Sequence, residues 1–142
     1  MGTGEIRDFT DLLVWQKAMD LVVATYRATD GMPKSEVFGL TAQMRRAVVS
    51  IPSNIAEGHG RRRTREYLHH LDIANGSLAE VRTQAILTQR LGYLASNELA
   101  DLHNLADETG RLLNGLIRSL GKRLPDADWR VAEDAQPYGF ET

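Results

Sequence analysis

Leu99, Leu102, Ala106, Thr109, Leu113, Leu116 and Leu120 recur in strict three–four alternation. That spacing matches the helical turn and puts these side chains on one stripe. Tyr67, Leu71, Ala74, Leu78, Val81, Ala85 and Thr88 hold a second such line, flanked by Leu68, Ile73, Ile86 and Leu87. Helices that are apolar on one stripe must bury it against other helices, so the chain is constrained to helix-on-helix packing. No segment alternates with a period of two over a useful length, and no sheet is expected.

Two more helices complete the set. Thr10 is a plausible N-cap with Asp11 in the first turn. Leu12, Trp15, Met19, Val22 and Tyr26 then form a stripe that Val14, Ala18, Leu21 and Val23 widen. Asp30-Gly31-Met32-Pro33 breaks the pattern. Ser35 can cap the next helix, whose stripe is Val37, Leu40, Met44, Val48, Ile51 and Ile55. Phe38, Val49 and Ala56 form a further apolar line, and the remaining side is small (Gly39, Ala42, Ser50, Ser53). A helix with more than one apolar face is either fully buried or covered by a second subunit. Pro52 should kink it, because the ring removes one backbone hydrogen bond and meets the carbonyl of Val48. Gly58 and Gly60 are expected to end it in a positive-φ cap. Gly76 suggests close approach of another helix. Ser96 is expected to cap the fourth helix, and Gly121 and Pro125 to end it. The expected fold is all-α: an antiparallel up-down-up-down four-helix bundle over residues 8–122, with helices crossing at about 20°. Residues 123–142 read as an acidic, flexible tail.

Charge is unevenly spread. The 142 residues carry a net charge of −2. Yet Arg45, Arg46, Arg61, Arg62, Arg63 and Arg65 stand against Glu57 alone between positions 45 and 65. From Pro125 onward the balance reverses, with Arg130 against Asp126, Asp128, Glu133, Asp134 and Glu141. Two readings of the arginine run stand side by side. Cations are favoured near a helix C-terminus. Alternatively, consecutive arginines repel one another unless a polyanion or acidic surface compensates.

The sequence offers little chemistry. There is no cysteine, which excludes disulfides, thiolate metal sites and cysteine nucleophiles and fits a cytoplasmic setting. No apolar run approaches the ~20 residues of a membrane span, and no signal-peptide layout opens the chain. His69 and His70 are adjacent on a helix and diverge by about 100°, so they cannot grip one metal together. Glu66 and His69 are a single ExxH match, and His103 has only Asp107 at a spacing of four. Phosphate-loop, nucleophile-elbow and zincin motifs are missing. No enzyme activity, metal or cofactor is expected.

Several segments together resemble one family. They are DFTDLLVWQK at 8–17, Phe38-Gly39-Leu40 with Gln43 and Arg45-Arg46, SIPSNIAEG at 50–58, Arg61, ANGSLAE at 74–80, and Leu91-Gly92-Tyr93. The chain resembles the four-helix-bundle proteins encoded in 23S ribosomal RNA intervening sequences, from Phe9 to about Leu120. The resemblance implies a four-helix bundle assembled as a homopentamer. That family is similar to the accessory variability proteins of diversity-generating retroelements, pentameric barrels with basic surfaces that engage nucleic acid and a reverse transcriptase. The packing reading comes first for both long motifs: Ser50, Ser53 and Asn54 can cover backbone groups freed at Pro52. Glu57 can pair with an arginine or with the next subunit.

Two functions follow from different classes. In the first, Arg45, Arg46, Arg61, Arg62, Arg63, Arg65 and Lys17 contact phosphates of structured RNA or DNA without sequence preference, and symmetry multiplies the patch. In the second, the bundle is a structural or adaptor oligomer that holds a protein partner such as a reverse transcriptase. Phe38, Val49, Ser53, Ala56 and Glu57 are the candidate subunit interface. The acidic tail could mask the arginines in either case.

Overall fold

A computed structural model describes residues 5–125. The acidic tail from residue 126 onward lies outside the described residues. Four helices account for most of the rest: α1 (Leu13–Thr29), α2 (Leu40–His59), α3 (Thr64–Arg90) and α4 (Ser96–Gly121). Among the described residues there is no strand, and two short 3-10 turns, Phe9–Asp11 and Lys34–Glu36, precede α1 and α2. Each helix packs on two neighbours, α1 and α3 both lying between α2 and α4.

Contacts between helices give their directions. Met44 Sδ accepts from Thr88, Ser50 meets Ser77, and Asn54 meets His70, so residue numbers fall on α3 as they rise on α2. Asn75 with Asn114 and Arg82 with Asp107 give the same sense between α3 and α4. Both pairs run antiparallel, which closes an up-and-down bundle.

The stripes of α3 and α4 lie where their spacing puts them. Leu71, Ala74, Leu78, Val81, Ala85 and Thr88 are buried, as are Leu102, Ala106, Thr109, Leu113 and Leu120. With Leu21, Met44, Val48, Ile51 and Ile55 they build one continuous core. Each fully buried leucine or isoleucine contributes about 1.5–3 kcal/mol relative to exposure. Three buried threonines, Thr29, Thr88 and Thr109, fit because their hydroxyls return to carbonyls of their own helix. Thr109 donates to the Leu105 carbonyl at 2.8 Å and Thr88 to that of Gln84 at 2.6 Å.

Several expectations need correction. On α1 the buried line is Val14, Ala18, Leu21, Thr25 and Thr29, whereas Met19 and Tyr26 are exposed. The Arg45 guanidinium lies 4.4 Å above the Tyr26 ring and donates to Asp30 and Thr29, so a cation covers that ring instead of the core. The first helix begins at Leu13, after a 3-10 turn that includes Thr10. At α2, Glu36 Oε1 accepts from the Leu40 N–H at 3.1 Å, doing the capping expected of Ser35. Val37 and Phe38 therefore precede α2, and Phe38 is 96% exposed. The helix continues through buried Pro52 to His59, so the proline does not stop it, in line with the apolar spacing that runs on to Ile55. At α4, Ala95 precedes the first turn and Glu98 accepts from its N–H. Gly60 has φ −79, and the positive-φ glycine among the described residues is Gly92, after α3.

Gly58 has another role. It is buried inside α2, and a Cβ built there would lie 2.9 Å from both His70 Cβ and Tyr67 Cδ1. The close approach of α2 to α3 is at Gly58, while Gly76 lines an open groove. Gly58→Ala gains about 1 kcal/mol of helix propensity, but overpacking costs about 1–3 kcal/mol. The backbone carbonyl of Tyr67, 3.2 Å from the same point, limits relaxation. Thermal denaturation should show a lower Tm for Gly58→Ala; an equal or higher Tm would mean the helices can part at no cost.

Candidate functional site

A polar seam joins α2 to α3. Ser50, Asn54 and Glu57 recur at four and three residues on the side of α2 that faces α3. His70 and Ser77, seven residues apart on α3, meet them. Ser77 Oγ donates to Ser50 Oγ at 2.9 Å, and Asn54 Nδ2 donates to the Ser50 carbonyl at 2.9 Å and to Ser50 Oγ at 3.0 Å. That leaves Asn54 Oδ1 facing His70 Nδ1 at 3.0 Å. An amide oxygen only accepts, so Nδ1–H is the donor in this contact. Nε2 then points at Glu57, 3.8 Å away, and Glu57 accepts from Arg61 at 2.9 Å. The chain of contacts runs from buried Ser77 to exposed Arg61 and links both long motifs of the sequence.

The seam ends where α2 turns into α3. Arg61 N–H donates to the Gly58 carbonyl, and Arg63 is extended as it enters α3. Arg61 is held along α2 by Glu57. Arg62 and Arg63 are exposed and make no ion pair with a described residue. Arg61, Arg65, Glu66, His69 and His70 line an open cleft of about 300 Å³. Tyr67 is packed edge-on against His59, with its hydroxyl 3.3 Å from His59 Nδ1. Burial pushes its hydroxyl above the usual tyrosine range, and the charge of Arg123 opposes this. Arg123 therefore stands at the same end of the bundle, brought there by α4. Nothing in the local sequence sets Lys122 and Arg123 apart, but the up-and-down topology puts the end of α4 beside the start of α3.

The other cationic candidates are elsewhere. Arg45 lies toward the start of α2, about 20 Å from its end at the helical rise, and is committed to Tyr26, Thr29 and Asp30. Arg46 is exposed one residue further on. Lys17 pairs with Glu108 of α4 at 3.0 Å, and that hydrogen bond raises the lysine above its usual range. Arg61, Arg62, Arg63 and Arg65 come together; Arg45, Arg46 and Lys17 do not join them.

The interface candidates divide as well. Val49 is exposed, Ser53 is exposed and Ala56 half-buried on the outer side of α2, while Glu57 turns toward Arg61. Val49 lies one turn after Arg45, and Met19, Val23 and Tyr26 are exposed on the neighbouring α1. These residues extend an apolar patch around the Arg45–Tyr26 contact.

Among the described residues no group of three His, Asp or Glu side chains could hold a metal ion. No helix among them is long and apolar enough to cross a membrane. Asp72 has its carboxyl raised above the usual range by burial, with His69 opposing. Asp107 is held below that range by its hydrogen bond from Arg82 at 2.7 Å. Both read as parts of the helix packing.

The fold matches a known crystal structure, that of a protein of unknown function from the S23 ribosomal protein family of Bacteroides thetaiotaomicron VPI-5482. The TM-score is 0.68 at 21% identity, covering 73% of this chain and 97% of that one. No curated protein matches the chain. The family model of the 23S rRNA-intervening sequence protein matches residues 10–115, which include α1, α2, α3, the polar seam and the arginines after it. On that match, the chain belongs to the 23S rRNA-intervening sequence protein family.

Proposed function

We propose that this protein is a non-enzymatic, homo-oligomeric bundle that binds structured RNA or DNA through the arginine end. One observation carries the reading: Arg61, Arg62, Arg63 and Arg65 converge where α2 meets α3, with Arg123 brought beside them by α4. Arg62 and Arg63 are exposed and make no ion pair with a described residue. Such a cluster lowers the free energy of a polyanion by releasing its condensed counterions. Arginine also suits phosphate geometry through paired N–H donors. The end of a helical bundle offers no strand or recognition helix to read base edges, so contacts go to the backbone and sequence preference is slight. Arg45 and Lys17 are already paired and contribute little. Repetition by symmetry turns weak contacts into avidity.

The test is a binding titration with an RNA hairpin and a DNA duplex, beside Arg61/Arg62/Arg63→Glu. Binding should fall steeply with salt, as log K against log salt slopes by about −0.9 for each duplex phosphate neutralised. It should be lost in the variant. Equal binding by both proteins at low salt, or none by either, would remove the proposal.

Phe38, almost wholly exposed, and the patch of Met19, Val23, Tyr26 and Val49 support the oligomer half of the reading. Exposed apolar surface of this kind is covered by a partner in a stable assembly. A second copy is the occupant proposed here, and five copies is the number that the family resemblance implies. The same patch favours the alternative adaptor role, with a protein such as a reverse transcriptase seated on the ring. Val49→Arg should give smaller species in native mass spectrometry. An unchanged mass would take Val49 out of the subunit interface.

A further inference from the structure

We propose that the acidic residues 126–142 occupy the arginine end of their own chain and compete there with polyanions. The inference rests on the polyanion reading above and adds its regulation. Three observations converge on it. First, the described residues end at Pro125, just after α4, which runs antiparallel to α3 and so ends beside its first turn, where the charge of Arg123 reaches Tyr67. Arg65 lies two residues before Tyr67, and Arg61 lines the same cleft as Arg65. The acidic segment thus starts beside the arginines and needs no linker to reach them. Second, the charges are complementary: Asp126, Asp128, Glu133, Asp134 and Glu141 against Arg130 on the segment. The bundle end carries the opposite charge on Arg61, Arg62, Arg63, Arg65 and Arg123. Third, reach is ample, because an extended chain spans up to about 3.3–3.6 Å per residue, and four residues already exceed a helix diameter of about 10–12 Å.

The energetics make the contact a modulator. A tethered segment is present at an effective concentration in the millimolar range. Individual exposed ion pairs are weak and screened by salt. A segment with weak intrinsic affinity is therefore bound for part of the time. Nucleic acid, with its higher charge density, displaces it, and only the unoccupied fraction of the protein binds at once. The net effect is to raise the threshold for weak or short polyanions while leaving dense, multivalent ones able to bind. Glu57, Glu66 and His69 also face this surface; Glu57 is already satisfied by Arg61, so the arginines beyond it carry the attraction.

Two readouts test this on the full chain. The protein has no cysteine, so Ala135→Cys gives a single site for a nitroxide label. At low salt the label should broaden the amide signals of residues 61–66 most strongly. The broadening should be lost at high salt and after changing Asp126, Asp128, Glu133, Asp134 and Glu141 to their amides. In parallel, the amide variant without label should bind a fluorescent RNA hairpin about two- to tenfold more tightly than the parent at low salt. The difference should vanish at high salt. Broadening that is no stronger at 61–66 than elsewhere would overturn the proposal. So would broadening seen only when label and isotope sit on different copies. Equal RNA affinity of parent and amide variant, without broadening, removes the tail contact and leaves the polyanion reading intact. Broadening without RNA binding by either protein removes the polyanion reading and leaves the contact standing.

Discussion

The contact between α2 and α3 at Gly58 is what the rest of the molecule depends on. A missing side chain lets two helices touch at the end where the chain turns between them. That closeness brings Asn54 within hydrogen-bonding range of His70, and Ser50 within range of Ser77. Each of these partly buried polar groups would be costly if left unpaired, by about 1–3 kcal/mol. Joined in one seam, they specify the register of α2 on α3. A shift by one turn would break these contacts between the helices together. The apolar core supplies attraction without much direction; the seam supplies the direction.

The same seam explains how a structural motif serves a surface. Its outer members are Glu57 and Arg61, so the helix register that packing selects also sets the start of the arginine run. Arg62 and Arg63 then project beyond the last turn of α2, and Arg65 follows in the first turn of α3. Two helix ends and the end of α4 share one small region of the bundle. A patch of this kind is built by topology as much as by local sequence, because Arg123 is far from the run along the chain and near it in space.

How much of this was legible beforehand varied with the physics involved. The stripes of α3 and α4 could be read because leucine spacing alone decides which side is buried. The apolar face of α1 is only partly legible: Leu12, Trp15 and Val22 pack on the core and Val14, Ala18 and Leu21 are buried, but Met19, Val23 and Tyr26 are exposed. Large side chains such as Met19 and Tyr26 suit the stripe by spacing alone, while the fully buried side is carried by Ala18, Leu21 and Thr25, which allow a closer helix contact. Arg45 covers Tyr26, an arrangement that periodicity does not encode. In the sequence Gly58 reads as a cap because glycine often ends helices; its true reason, the proximity of His70 and Tyr67, exists only in three dimensions. For the candidate site, density along the chain grouped Arg45 and Arg46 with Arg61, Arg62, Arg63 and Arg65. A helix separates residues by about 1.5 Å each, so most of the length of α2 lies between the two groups.

The proposed contact lies at the arginine end, and not at the apolar groove of Leu40, Ile73 and Leu87 or the patch around Val49. The most direct measurement maps amide chemical shifts of the isotope-labelled protein as a structured RNA is added at low salt. The account predicts that changes concentrate at residues 61–69 and at Lys122 and Arg123, and that added salt reverses them. Changes centred on α1 or on the groove between α2 and α3, or no changes at all, would contradict it.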